Sequence, residues 1–436
     1  MKKIYIKDIN EGWKGKIKCW VSNKRHIKNT LFIDLYDSTE EIQGIAIKDE
    51  CSNYDEATKI TRESAVEVYG YFVNNELKIN SIKVLALASY NLSPSPNEKR
   101  FNVFDHKMGK QVIEHPTFYI RNKKLKTIYY IKSVFKRNLQ NYMWERNFVE
   151  FESPTLTRQT LYDDTGAVWL KVEGQDVTLS RCATFHLEPA IVAYEKVFTI
   201  TNSHANEKIR TNRHLVEYLH LKIEVCWTNL EELIDFAGEL YYKVAKKTYE
   251  MCEKEFLELI DKKTIEEKIE KLNPINHKMI TYDEAVKILR SNNFDFEYGK
   301  SLTTKQEKFL TEYYNDNFLW VKYIPYTVEG FMFKRNKNNT QLTQTCDLIA
   351  PNGYGEILGC AEKMTDYNEI IESMKQKDKF KDYNRYEDYA LLHKYGLPEH
   401  GGIGMGIERA LRYLINVDHV KYTKPFAVVK GSQINH

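Results

Sequence analysis

The sequence predicts an α+β protein with a small all-β domain followed by a larger mixed one. Roughly the first 85 positions hold about five short runs of alternating apolar and polar residues. A proline-spaced polar stretch comes next, and beyond it strand-like and helix-like runs occur in blocks, which disfavours a doubly wound sheet. The chain's 436 residues suffice for a large core without crosslinks. Lys and Arg total 64 against 61 Asp and Glu, so the net charge of +3 excludes a blanket polycation and leaves room only for a local basic face. Seven cysteines without a Cys-x-x-Cys pair argue against a zinc ribbon or a disulfide scaffold. The opening Met1-Lys2-Lys3-Ile4-Tyr5-Ile6 leads into a strand pattern without an apolar signal core, and no long apolar run follows. These features predict a soluble cytoplasmic protein with no membrane segment.

Residues 1–92 form the expected first domain. Lys16–Val21, Leu31–Leu35, Ile42–Ile47, Ala65–Tyr71 and Leu77–Ile79 each place apolar side chains on one face, with polar turns such as Asp37-Ser38-Thr39 between them. That series fits a small barrel of the oligonucleotide-binding (OB) type, with a plain sandwich as the alternative. Ser93-Pro94-Ser95-Pro96 resists regular structure and opens a linker over 93–118. In the second domain, 119–436, Leu125–Trp144 has helical spacing and Phe148–Phe151 reads as a strand closed by Ser153-Pro154. Strands are expected to dominate up to Ile223, followed by a helix over Leu230–Val244. The charged stretch Glu253–Lys271 reads as a solvated surface helix, part of a helical insertion over about 252–315. From Trp320 strands return, ending in a Gly-rich turn and an apolar helix.

Three segments carry residue types suited to phosphate chemistry. In Glu207–Tyr218, Arg210 and Arg213 are followed by His214 and an aromatic residue. Such a loop can grip phosphates, because the arginine fork bonds oxyanions bidentately, and it can stack a base; otherwise it is a solvated basic turn. Asp347 and Glu356 flank a Pro/Gly turn between two strand-like runs. Hard oxygens so placed can hold Mg²⁺ against substrate phosphates, or lie on the surface. Gly401–Gly406 leads into Glu408-Arg409 and an apolar helix, where a cation near a helix N-terminus serves a nucleotide phosphate; the alternative is a tight turn before a core helix.

Taken in order, these segments resemble motifs 2 and 3 of the class II aminoacyl-tRNA synthetases, with Phe148–Pro154 as motif 1. The resemblance covers nearly the whole chain and is closest to the asparaginyl-tRNA synthetases of subclass IIb, the aspartyl enzymes coming next. Tyr354–Gly359, Tyr395-Gly396 and His400-Gly401-Gly402 match the asparaginyl branch, and Thr281–Ala285 matches the family's insertion segment. The resemblance implies an antiparallel catalytic sheet flanked by helices, preceded by an anticodon-binding OB barrel, and a homodimer built through motif 1. It also implies ATP-dependent formation of an aminoacyl adenylate and transfer of the acyl group to tRNA. By similarity, Arg213 and His214 hold the ATP phosphates, Tyr218 stacks on adenine, Gly406 and Arg409 hold the far end of the nucleotide, and Asp347 and Glu356 carry Mg²⁺. Arg25, Phe32 and Gln43 would read anticodon bases.

The family pattern also breaks. Its motif 2 begins Phe-Arg-x-Glu; here the register is His204-Ala205-Asn206-Glu207, which keeps Glu207 and loses the arginine. Arg210 and His204 are the candidates to replace it. The Ser-Gln-Ser-x-Gln segment of the amino-acid pocket reads Ser180-Arg181-Cys182-Ala183-Thr184, the Ser-Gln-Arg near the metal site reads Ala361-Glu362-Lys363, and a lysine becomes Glu329. Asp164 stands where the family has a glutamate that meets the substrate ammonium. Three readings follow. The chain is a working synthetase, a paralogue adenylating a different amino or carboxylic acid for a non-tRNA acceptor, or a non-catalytic tRNA-binding or regulatory protein.

Overall fold

The computed structural model describes residues 3–89, 94–98, 100–161, 164–206, 211–432 and 434. The chain divides into two compact units, Met1–Gly109 with Arg121–Lys123 and Lys110–Ile120 with Lys124–His436.

In the first unit, β1 (Lys14–Ile27), β2 (Thr30–Tyr36), β3 (Glu41–Ile47), β4 (Ala65–Val73) and β5 (Glu76–Ala86) close a barrel in the order β1-β2-β3-β5-β4. Alternation places Leu31, Ile33 and Leu35 inside and leaves Phe32 and Asp34 on the outer face. A helix that the sequence reading missed, α1 (Tyr54–Lys59), lies between β3 and β4 and packs Tyr54 and Ala57 into the barrel core. At six residues it is too short to show a period.

The second unit begins with the short helices α2 (Met108–Glu114) and α3 (Pro116–Tyr119) and the long α4 (Lys123–Trp144). Next come β6 (Val149–Glu150), β7 (Leu156–Thr157), β8 (Trp169–Val172), β9 (Gln175–Leu179), α5 (Thr184–Tyr194), β10 (Lys196–His204), β11 (Glu217–Cys226) and α6 (Leu230–Met251). The segment expected as a helical insertion contains α7 (Glu253–Leu257), α8 (Lys262–Lys271), β12 (Lys278–Thr281), α9 (Tyr282–Ser291) and α10 (Thr304–Tyr313). The chain continues through β13 (Leu319–Lys322), β14 (Thr345–Ala350), β15 (Gly355–Glu362), α11 (Tyr367–Gln376), α12 (Glu387–Leu392), β16 (His400–Gly406) and α13 (Ile407–Leu414).

An eight-stranded sheet, ordered β12-β13-β14-β15-β16-β11-β10-β6, forms the centre of this unit. It is antiparallel except at β12–β13 and β10–β6. Helix α6 is closed at its start by a capping box between Asn229 and Glu232 and covers one face of the sheet through β15 and β16. A buried ion pair, Lys132 Nζ to Glu408 Oε1 at 2.5 Å, ties α13 to α4.

Strands dominate the stretch up to Ile223 as expected, with α5 set among them; its exposed positions Pro189, Val192 and Tyr194 are as apolar as most of its buried ones, so it shows no helical period. Three sequence expectations need correction. Glu253–Lys271 is two helices, and Phe256, Ile265 and Ile269 are buried, so it is not a solvated surface helix. The insertion is not purely helical, since β12 extends the main sheet. Gly401–Gly406 belongs to a central strand, not a turn.

That glycine strand has a steric cause. A Cβ built on Gly402 would sit 2.5 Å from Glu224 Oε2, and one on Gly404 would collide with Lys222 Nζ. We expect Gly402→Ala to destabilise the protein by about 1–3 kcal/mol through overpacking, measured by denaturant unfolding.

Candidate active site

The sheet face opposite α6 opens into a cavity of about 290 Å³. Its floor is backbone: Gly359 of β15 pairs with Gly404 of β16, and Gly402 and Gly406 continue the bare strip. Beside this strip β11 projects Tyr218, His220, Lys222 and Glu224 into the cavity at period two. Across it, β14 and β15 contribute Asp347 and Glu356, and α13 contributes Arg409 from its first turn.

Most of the residues singled out in the sequence meet here. Arg213, His214, Tyr218, Asp347, Glu356, Gly406 and Arg409 line one part of the cavity. Arg181, Thr184, Glu329 and Lys363 line another. Asp164 does not line it: its carboxylate accepts from Thr160 Oγ1 at 2.5 Å and Lys379 Nζ at 2.9 Å, and pairs with Arg385 Nη1 at 3.2 Å. Two cations thus engage Asp164 apart from the residues that line the cavity. Glu207 and Arg210 lie outside the described residues. His204 is buried and bonded to the Ser180 carbonyl at 3.2 Å, with Glu217 Oε2 at 3.5 Å, and does not line the cavity. On the barrel, Arg25 and Phe32 are paired across β1 and β2, with the guanidinium 5.8 Å from the ring centroid, while Gln43 donates to Asp34 Oδ1 at 3.4 Å. All three lie on the outer face.

The charges in the cavity are strongly coupled. Arg409 Nη1 lies 3.2 Å from Glu356 Oε2 and also donates to the Glu356 carbonyl at 3.2 Å, while its Nε donates to the Arg213 carbonyl at 3.3 Å. Burial opposes ionisation of Glu356, but Arg409 and Arg213 hold its carboxyl below the ordinary value. Burial, and then Glu356, Glu329 and Glu307, push Asp347 well above the carboxylate range. Arg213 is held by Glu307 of α10, and its Nε is buried without a partner among the described residues. Burial, followed by Arg409 and Arg213, lowers His214 to about 4, so the imidazole is neutral at neutral pH. Its Nδ1 shares a 2.6 Å hydrogen bond with Thr211 Oγ1.

Glu329 carries a testable consequence. Burial first, and then the charge of Glu356, raise its carboxyl to about 7, against the opposing hydrogen bond from Thr345. The folded state therefore keeps a proton that the unfolded chain releases from about pH 4.3 upward, so stability falls as pH rises through that window and levels off above about 7. We expect Glu329→Gln to raise the unfolding temperature near pH ~8 and to change it little near pH ~4, read by calorimetry at both values.

Several cavity residues escaped the sequence reading: His220, Lys222, Glu224, and Glu307 behind Arg213. The row Tyr218-His220-Lys222-Glu224 was visible as a period-two set once β11 was recognised as a strand. Nothing local marked Glu307.

The family described as tRNA synthetases class II (D, K and N) matches residues 110–430. Over 439 residues the chain is 28% identical to an asparagine–tRNA ligase of Pyrococcus abyssi, covering 98% of each chain. It is 29% identical over 433 residues to an asparagine–tRNA ligase of Thermococcus kodakarensis, covering 97% of each. The crystal structure of asparaginyl-tRNA synthetase from Pyrococcus horikoshii complexed with asparaginyl-adenylate superposes with a TM-score of 0.89 at 26% identity, covering 99% of both chains.

Proposed function

The chain belongs to the class II tRNA synthetases of the D, K and N group, and from that premise we propose that it joins asparagine to ATP as an adenylate and passes the acyl group to tRNA. One observation carries this reading. Two arginines, a neutral histidine, a half-buried tyrosine and two carboxylates converge on a floor without side chains, where a nucleotide and an acid can lie against backbone. The paralogue and regulatory readings gain nothing from the relatives.

In this proposal Tyr218 stacks on adenine and Arg409 fixes the nucleotide beside it. Arg213 leaves Glu307 to meet the terminal phosphates, with His214 donating as a neutral imidazole. Asp347 and Glu356 suit Mg²⁺: both offer hard oxygens, and the crowding that pushes Asp347 up is relieved by a cation. When bound, the ion neutralises phosphate charge. Catalysis by this chain is then positioning and charge stabilisation around an in-line attack on the α-phosphate.

Lys222 supplies the cation that Ala205 lacks. Its Nζ stands over Gly404 near His220 Nε2, and it makes no ion pair among the described residues. Arg25, Phe32 and Gln43 form the face that stacks and reads anticodon bases. The segment Phe148–Pro154, with Val149 exposed within it and Trp144 and Leu156 exposed on either side, builds a cytoplasmic homodimer.

ATP–pyrophosphate exchange with each proteinogenic amino acid tests the proposal. Exchange confined to asparagine, followed by charging of tRNA, is the expected result. Silence with all of them would refute it.

A further inference from the structure

A second cavity, of about 470 Å³, lies between α8, α13 and the turn that joins β14 to β15. It shares no lining residue with the candidate active site. Two of its walls carry charge where the helix pattern calls for apolar side chains. The buried face of α8 runs Ile265, Lys268 and Ile269, so a lysine stands on the apolar stripe. On α13, Arg412 is buried between Leu411 and Tyr413. Lys268 is 8% exposed and Arg412 is 4% exposed.

Neither cation is neutralised. Lys268 Nζ makes no hydrogen bond or ion pair among the described residues; it rests 4.1 Å from the ring centroid of Tyr413 and 4.5 Å from that of Tyr354. Arg412 donates from Nε to the Asp418 carbonyl and from Nη1 to the Tyr354 carbonyl, both at 3.1 Å, which fixes the guanidinium but brings no carboxylate to it. It too lies against Tyr354, 4.8 Å from the centroid. The carboxylates that line the cavity, Glu267 and Asp418, are exposed, and Glu267 pairs with Lys263 at 3.8 Å instead. Lys271, half-buried, adds a third positive charge, its Nζ donating to the Asp316 carbonyl at 2.9 Å. Burial first, and then Lys271 and Arg412, lower Lys268 to about 8, so it keeps its proton at neutral pH. Aromatic faces attract cations, but less strongly than burial penalises them. A cavity that buries two positive charges without a counter-charge is complementary to an anion.

We propose that this cavity binds an oxyanion of the phosphate class between the Lys268 ammonium and the Arg412 guanidinium, at a site separate from the nucleotide cavity. A dianion matches the two buried charges. The guanidinium is already oriented by the two carbonyls, and its Nη2 makes no hydrogen bond among the described residues, so a planar donor group faces the ligand without further ordering. The site does not depend on the proposed activity. Its occupant is either a free phosphate or a phosphate of an RNA backbone, and the test separates the two.

Inorganic phosphate titrated into the full chain by calorimetry at constant ionic strength, with Lys268→Met, Lys268→Arg and Arg409→Ala chains alongside, is the test. Lys268→Met is expected to weaken phosphate binding by about 10–10²-fold, the loss typical of one hydrogen bond to a charged group. It is also expected to raise the unfolding temperature in phosphate-free buffer, because it removes an unpaired buried charge. Lys268→Arg keeps the cation and is expected to keep most of the affinity. In the unaltered chain, phosphate is expected to slow acylation of Lys268 by an amine-directed reagent, read by peptide mass spectrometry. Filter binding of tRNA assigns the source. A matching loss of tRNA affinity in Lys268→Met, with phosphate competing, identifies a backbone phosphate, and undiminished tRNA affinity identifies a free anion. No phosphate binding by the unaltered chain, equal binding with and without Lys268, or acylation that phosphate leaves unchanged would overturn the proposal. So would phosphate binding that is lost in Arg409→Ala and kept in Lys268→Met, which would place the anion in the nucleotide cavity.

Discussion

Replacing Arg409 by alanine is expected to abolish measurable ATP binding. Arg409 is the cation on which three parts of the cavity converge: it leaves α13 in its first turn, pairs with the Glu356 carboxylate, and bonds the backbone carbonyls of Glu356 and Arg213. Truncation removes a charge that a nucleotide needs and leaves Glu356 beside Asp347 with less to offset their repulsion. Losing one partner of a buried, hydrogen-bonded charge pair costs about 2–5 kcal/mol, which weakens binding by roughly 10²-fold or more. Titration calorimetry with ATP and Mg²⁺ reads the loss directly. Arg409→Lys separates charge from geometry, because lysine keeps the charge and lacks the planar fork. An intermediate affinity is expected for it. Undiminished ATP affinity in the alanine variant would remove Arg409 from the nucleotide site.

What the sequence disclosed depended on whether a feature was local. The barrel strands were legible because Leu31, Ile33 and Leu35 alternate with outward residues over a half-buried surface. Helix α5 was not, because it buries Phe185, Leu187, Ala190 and Ile191 together with Glu188 while its exposed face carries Pro189, Val192 and Tyr194, so no polar face sets a period. The glycine strand was misread since four glycines among six residues leave only Ile403 and Met405 to show the alternation. Its reason lies in the next strand, where Glu224 and Lys222 occupy the space a Cβ would take. Arg213, Asp347, Glu356 and Arg409 were found through short motifs and do share one cavity. The partners that set their charge states were hidden by distance along the chain: Glu307 lies 94 residues from Arg213, and Glu188 lies 175 from Lys363.

Lys222→Ala is expected to slow adenylate formation by about 10²–10³-fold, the usual loss when one donor to developing charge is removed. On the proposed reading Ala205 stands where the family's motif 2 carries an arginine, and Ala205 lines the cavity. His204 cannot replace that arginine, being bonded to Ser180 and Glu217 outside the cavity. Lys222 can: it extends over Gly404 from the strand beside the floor, and a cation without a carboxylate partner among the described residues can meet an anionic oxygen. Burial, and then Lys222 and Arg409, keep His220 well below the ordinary imidazole value, so the neighbouring ring adds a neutral donor and no competing charge. The decisive variant is Ala205→Arg in the Lys222→Ala background. If the two positions supply the same cation from opposite sides of the cavity, the arginine restores most of the lost rate, while Ala205→Arg in the wild-type chain changes little. Single-turnover formation of the adenylate, with ATP affinity measured separately, distinguishes this from a loss of nucleotide binding. A Lys222→Ala protein that loses amino-acid affinity at an unchanged chemical rate would instead place Lys222 in substrate binding, and failure of the rescue would leave Ala205 without a substitute among the described residues.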